Sequence, residues 1–316
     1  MINLAVIGTS NITRAFLSAC ELTGEYRICA VCSRNFERGR AFANEFSCEK
    51  VHTSLESLAN DKEIDAVYIA SPNSLHFSQS VMMLNAKKHV ICEKPLVTKL
   101  SKLKEIYRAA QDNGVYFMEA IIPEHLPQLT PLKKAVESLG KIKSVSFNFK
   151  QYSSRYDDFK NGIIYPVFDP VFEGGALNDL GIYNLYLAHM LFGTPKNVTS
   201  KATLLSNGVD GEGESTLYYD DFKVTLTYSK ITGDNPVSEI IGENGKITFD
   251  SVSKIANVFV NGEFLCGEME KCELMSYEAR AFSEILKGEK EKYNQTKQLS
   301  LAVYETLEKL IKEREL

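Results

Sequence analysis

No run of apolar residues in this chain approaches the roughly 20 that a membrane-crossing helix needs, and no basic region followed by an apolar core opens it. A membrane is therefore not expected as a partner, and the chain reads as cytoplasmic. Positive charge is scarce as well: 36 Lys and Arg stand against 41 Asp and Glu, a formal net charge of -5, with no dense basic tract. A nucleic-acid partner needs the opposite field, so none is expected. Seven cysteines, an odd number at 20, 29, 32, 48, 92, 266 and 272, are too scattered for a disulfide framework. Cys29 and Cys32 form a C-x-x-C, but "YRICAVCS" reads as a buried strand whose positions three apart face opposite ways. Buried thiols are expected there. His52, His89, His125 and His189 show no metal-ligand spacing on one element, so no metal is expected. The N-x-[ST] sequences at Asn11, Asn197 and Asn294 read as chance matches, the first falling inside a candidate ligand turn.

Repeats, low-complexity tracts and flexible linkers are missing too, which predicts tightly joined domains. With 316 residues, the chain exceeds the size at which one core usually stops growing, so two domains are expected. From residue 2 to about 120, short apolar runs ("INLAVIG", "YRICAVCS", "AVYIAS", "HVICE", "VYFMEA") alternate with amphipathic helical stretches. Continuous apolar strands separated by helices indicate a parallel sheet covered on both faces, an α/β doubly wound Rossmann domain over 1–120.

Beyond 120 the pattern changes. In "KSVSFNFKQY", Val145, Phe147 and Phe149 alternate with polar residues, the period of a strand with one buried face. "ESTLYYD", "FKVTLTYSK", "SEIIGENGKITFD" and "ANVFVNGEF" continue the series, and their "ENG" and "VNG" steps suit hairpins. The expectation for 121–316 is an α+β domain with a mostly antiparallel open sheet, closing on an amphipathic helix in "LSLAVYETLEKLIKEREL". "GENGK" is too short for a phosphate loop and reads as a hairpin turn.

The first strand runs into "IGTSNITRAF". A dinucleotide fingerprint is G-x-G-x-x-G, and here the three places hold Gly8, Ser10 and Thr13. Two glycines are absent, but the position is right, because a turn after the first strand brings pyrophosphate to a helix N-terminus. Gly8, Ser10, Asn11 and Ile12 are thus candidate cofactor contacts. A carboxylate for the ribose is also absent where the second strand ends. "CSRNFERGR" supplies Ser33, Arg34 and Arg38 instead, and guanidinium groups match a 2′-phosphate. NADP(H) is the favoured cofactor, with NAD(H) the alternative.

Two stretches carry candidate chemistry. In "VICEKPLVTKLSKL", Glu93, Lys94 and Pro95 follow an apolar strand, at the end where doubly wound folds hold ligands. In "FEGGALNDLGIYNLYLAHMLFG", Gly174 and Gly175 read as a flexible approach to a helix with Asp179 and Tyr183 four residues apart on one face. A free tyrosine has a pKa of about 10, so use as a base near neutrality requires lowering it by roughly 3, about 4 kcal/mol. An ammonium such as that of Lys94 favours the phenolate.

The order of these elements, with "SPNSLH" after the fourth strand, "EKP" at 93–95, "FMEA" at 117–120 and then "GGALNDLGIY", resembles the Gfo/Idh/MocA oxidoreductases over essentially the whole chain. The resemblance implies that Lys94 and Tyr183 flank the substrate carbon that exchanges hydride with nicotinamide, with Asp179 as their polar partner. It implies that Ser71, Pro72, Asn73 and His76 line the nicotinamide side, beside Glu93 and Lys94. Many members carry His where this chain has Tyr183, which places it with the tyrosine-type subgroup. A homodimer or larger homo-oligomer through the open second-domain sheet is also implied.

The reading is an NAD(P)-dependent oxidoreductase acting on a secondary or anomeric hydroxyl or carbonyl of a sugar, polyol or related small molecule. Tyr152 and Arg155 of "KQYSSRYDDFKNG", with Asp157, are further candidates for the substrate cleft. The rival is a non-catalytic NADP-binding regulator of the same fold that senses redox state or a sugar. Lys94 and Tyr183 together favour the enzyme, since a sensor has no need of a proton-transfer pair.

Overall fold

The computed structural model describes residues 1–314. The chain divides into two units: Met1–Ile121 with Glu270–Gln298, and Ile122–Met269 with the chain from Leu299 on.

The first unit is built on a parallel sheet of β1 (Ile2–Ile7), β2 (Tyr26–Cys32), β3 (Lys50–His52), β4 (Ala66–Ile69), β5 (His89–Glu93) and β6 (Phe117–Ala120), in the order β3-β2-β1-β4-β5-β6. Leu4, Val6, Val31, Val67, Ile69, Val90 and Ile91 are all fully buried, which is why β1, β2, β4 and β5 read as apolar runs, whereas the half-buried edge strand β3 was not anticipated from sequence. The order reverses between β1 and β4, the switch point at which such sheets open a ligand crevice. Helix Asn11–Thr23 seals one face there, its Phe16 ring stacked on Tyr68 with centroids 3.9 Å apart.

The unit also takes back a late segment. Helix Lys271–Leu286 buries Leu274, Met275 and Phe282, packs on helix Asn11–Thr23 and accepts a hydrogen bond at Ala279 O from the Tyr26 hydroxyl (2.5 Å). Each such side chain contributes about 1.5–3 kcal/mol relative to exposure. The expected second domain, 121–316, is thus interrupted at 270–298, since an amphipathic pattern shows that a face is buried and not against what.

The second unit holds eight strands: β7 (Ile142–Lys150), β8 (Asn197–Leu204), β9 (Asp210–Tyr218), β10 (Lys223–Ser229), β11 (Ser238–Gly242), β12 (Gly245–Phe249), β13 (Val258–Val260) and β14 (Glu263–Cys266). Their order is β14-β13-β12-β11-β7-β10-β9-β8, antiparallel except for the parallel β7–β10 pair. Both expected hairpins form. Asn261 and Gly262, with φ of 53° and 87°, turn β13 into β14, since two left-handed residues match strand twist. β8 was not anticipated from sequence: it lies at the sheet edge and buries Val198 alone, so it has no apolar alternation to betray it. Among the described residues, no helix is long and apolar enough to cross a membrane.

Candidate active site

The turn after β1 is shaped by one glycine. Gly8 has φ +112°, and a Cβ there would lie 2.6 Å from the Ala70 carbonyl oxygen, so β1 passes against the end of β4 only because the side chain is missing. The other two fingerprint positions do different work. Ser10 is the N-cap of helix Asn11–Thr23: its Oγ accepts the Thr13 N–H (3.4 Å), while the Ser10 N–H donates to Thr13 Oγ1 (3.3 Å). This is a capping box with threonine in place of the usual glutamate. Thr13 is fully buried, so the residue at the third glycine place closes the cap from within. Asn11 and Ile12 stand in the first helical turn, where N–H groups have no partner further back in the helix.

A cavity of about 730 Å³ opens here, lined by Gly8, Ser10, Ser33, Arg34, Arg38, Ser71 and Pro72 among the expected residues. Thr53, Ser54 and Gln79, which sequence reasoning missed, complete the wall. Gln79 accepts the Ser71 hydroxyl (2.7 Å) from one turn along the next helix, a spacing that marks it in retrospect. Arg34 and Arg38 are exposed at the cavity edge. Asn35 between them caps helix Phe36–Glu45, accepting the Arg38 N–H at 2.8 Å, and its carbonyl accepts the Ser33 hydroxyl at 2.9 Å.

Asn73 opens a short 3-10 turn over Asn73–Leu75. His76, expected to line the nicotinamide side, is buried. It is 1% exposed, and its ring nitrogens sit 2.8 Å from the carbonyl oxygens of Ser71 and Pro95, so it joins the two turns from beneath. Glu93 accepts the Tyr68 hydroxyl at 2.6 Å, and burial raises its carboxyl above the ordinary value. Lys94 follows, half-buried and joined to Pro95 by a cis bond.

In the second unit, Gly174 and Gly175 are a tight passage and not a flexible one. A Cβ on Gly174 would meet the carbonyl oxygens of Val167 and Pro166 at 2.6 and 2.7 Å, and one on Gly175, at φ +132°, would fall on the Asp210 carboxylate. The helix they lead into opens with a π-turn, Leu177–Gly181, before continuing as α-helix Ile182–Phe192. Such turns carry an extra residue and recur at functional sites. Gly181 lets the turn close against the Tyr228 ring, 3.0 Å from where its Cβ would be. Asp179 sits in the π-turn and pairs with the ammonium of Lys230, which is 9% exposed against 29% for the Asp179 side chain. Tyr183, half-buried, lies against Phe149 with ring centroids 5.6 Å apart. Lys230 went unnoticed in the sequence because it reads as the polar end of a strand.

Tyr152 and Arg155 have local partners. The Tyr152 hydroxyl donates to Asp157 (2.8 Å) and accepts from Lys160 (3.3 Å), and the Arg155 guanidinium stands 4.3 Å from the Tyr165 ring centroid.

Residues 2–121 match the model of an oxidoreductase family with an NAD-binding Rossmann fold, and residues 132–248 match the C-terminal domain of the same Gfo/Idh/MocA group. The chain is 45% identical to the uncharacterized oxidoreductase YgjR of Escherichia coli over 82% of its own length and 79% of that protein. It is 38% identical to the scyllo-inositol 2-dehydrogenase (NADP(+)) IolU of Bacillus subtilis, covering 92% and 90% of the two chains. In fold it is similar to KijD10, a 3-ketoreductase from Actinomadura kijaniata solved with NADP and TDP-benzene, with a TM-score of 0.87 at 24% identity over 99% and 98% of the two chains. These matches, spanning both units, make the chain a member of the Gfo/Idh/MocA oxidoreductase family.

Proposed function

We propose that the chain is an NADP(H)-dependent dehydrogenase acting on a secondary or anomeric hydroxyl of a sugar or cyclic polyol, with carbonyl reduction as the reverse. The observation that carries this reading is the cavity at the ends of β1 and β2, where Gly8 lets backbone approach and Arg34 and Arg38 stand at the edge. The groups fit the cofactor: guanidinium donors at the cavity edge for a 2′-phosphate, and, on the helix start that follows the lining residue Ser10, the first-turn N–H groups of Asn11 and Ile12 for pyrophosphate. Bound NADP(H) supplies the hydride acceptor or donor.

The chain's own residues handle the proton and the charge. Tyr183 takes the substrate hydroxyl proton and returns it in reduction, and Lys94 steadies charge developing on the substrate oxygen. Asp179, paired with Lys230, accepts a hydrogen bond from a neighbouring substrate hydroxyl. Both IolU and the Haloferax volcanii D-xylose 1-dehydrogenase (NADP(+)) 2, which is 32% identical over 68% of the chain, are named for polyol or sugar substrates, and this supports the substrate class. Association of two copies through the eight-stranded sheet belongs to the same proposal and is read by light scattering.

A turnover screen with NADP and NAD against scyllo-inositol, myo-inositol, D-xylose and trans-dihydrodiols tests the function. Activity on a sugar or cyclic polyol with NADP is expected. Inertness of every compound with both cofactors would overturn the reading.

A further inference from the structure

We propose that Asp210 and Arg314 form a remote cap that holds the helix bearing Asp179 and Tyr183, so that both are positioning residues for the site. Asp210 opens β9 and is fully buried. Its Oδ2 accepts the Leu177 backbone N–H at 2.7 Å, and its Oδ1 meets Arg314 Nη1 at 2.5 Å. A helix start exposes N–H groups without internal partners, and here the residue before Leu177 is Ala176, which has no side chain that can cap. A carboxylate brought in from a strand does that work, and its charge complements the helix dipole.

Two further features fit the same arrangement. Gly175 is tailored to it, because any side chain there would displace the Asp210 carboxylate. The next residue of β9, Gly211, accepts the Lys230 N–H at 2.8 Å, and the Lys230 ammonium pairs with Asp179. The start of β9 thus fixes the π-turn from its first N–H and Asp179 from its counter-ion. Single π-turns are rare and recur at functional sites, and this one is anchored at its first N–H and at Asp179. Release of Leu177 lets the turn rewind and re-aims Asp179 relative to Tyr183. Arg314, in the last turn of helix Lys290–Arg314, completes the cap as the counter-charge of a fully buried carboxylate.

The catalytic consequence rests on the proposed roles of Asp179 and Tyr183, but the cap itself is tested without turnover. The full chain is labelled with 13Cζ-tyrosine, the Tyr183 resonance is assigned with Tyr183→Phe, and its position and pH titration are followed in Asp210→Asn, Arg314→Gln and Arg314→Lys. In Asp210→Asn and Arg314→Gln the Tyr183 resonance and its titration are expected to move, while NADPH affinity by fluorescence titration stays within twofold. Arg314→Lys is expected to bring the resonance back toward its original position. If Asp210→Asn does not fold, Arg314→Gln, at a partly exposed residue, decides alone. An unchanged Tyr183 resonance and titration in the folded variants overturns the proposal, even where the melting temperature falls. A substrate screen without activity leaves this result standing, so the two readings fail separately.

Discussion

The two units each start a site helix just after a glycine of positive φ, Gly8 at +112° and Gly175 at +132°, yet they cap those helices in opposite ways. Helix Asn11–Thr23 is capped locally by two neutral hydroxyls, Ser10 and Thr13, and has no acidic residue in its first turn. Its start stays electropositive, which suits an anionic ligand. The helix that begins at Leu177 is capped remotely by the buried Asp210 carboxylate. Its dipole is answered from within the protein, and its working groups are side chains further along. On the proposed reading, the first unit keeps its helix start for binding and the second uses a distorted helix start to hold side chains for chemistry.

The largest expected effect probes that division directly. Tyr183→Phe removes the proposed proton carrier and keeps the ring beside Phe149. Turnover of the substrate found in the screen should fall about 10²–10⁴-fold, the usual contribution of a positioned acid or base, with NADPH affinity unchanged. Wild-type turnover in this variant would break the comparison.

The second helix also depends on a buried neutral group near its end. His189 is 5% exposed, its Nε2 lies 3.0 Å from Thr306 Oγ1, and burial lowers its pKa from 6.5 to about 4. The unfolded chain then binds the extra proton first as pH falls, so stability is fully present above 6.5 and is lost as pH falls from 6.5 towards 4, by about 3 kcal/mol in all. Urea unfolding at pH 7.5 and 4.5 should show His189→Gln losing less stability between the two than wild type. Equal losses would remove His189 from the account.

Two substitutions sharpen the first unit's side of the contrast. Arg34→Ala removes a charge-assisted donor worth about 1.5–3 kcal/mol, so NADPH should bind about tenfold or more weakly by fluorescence titration, with NADH little changed. Ser10→Asp tests the cap itself. Aspartate caps a helix about as well as serine, so stability should hold. Its charge, however, sets an anion where the phosphate is proposed to bind, and a penalty of about 1–2 kcal/mol should weaken NADPH roughly tenfold. Undiminished affinity would mean that the pyrophosphate does not use this helix start.

Much of this was legible in the sequence. The parallel sheet could be read because its central strands are buried on both faces, whereas the half-buried edge strand β3 offers no apolar run, and the hairpins because "ENG" and "VNG" set Asn-Gly steps between alternating runs. Arg34 could be read because ligand cavities in such folds form at strand ends, whose positions follow from the strands, while Ser71 was implied by the family resemblance. Asp210, Arg314 and Lys230 could not. Their meaning lies in contacts across 33, 104 and 51 positions of chain, and local pattern carries no information at that separation. Gly174 was recognised as special but misread, because a steric notch looks in sequence like a hinge.

Thr13 gives the smallest effect and the most discriminating one. Judged by the fingerprint, glycine at this place is the residue that a dinucleotide turn should have, so Thr13→Gly ought to improve binding. Judged by the geometry, it removes one half of a reciprocal cap and puts the most flexible residue into the first helical turn. Loss of a capping hydroxyl costs about 1 kcal/mol, and the glycine adds a fraction of that. The expected outcome is a lower urea midpoint with unchanged slope, and NADPH affinity equal to or weaker than wild type. Tighter NADPH binding at undiminished stability would show that the hydroxyl cap is a compromise forced on this turn. A stability loss with affinity unchanged would place the pyrophosphate on Asn11 and Ile12 alone, because their N–H groups keep their place whether or not Thr13 closes the cap behind them.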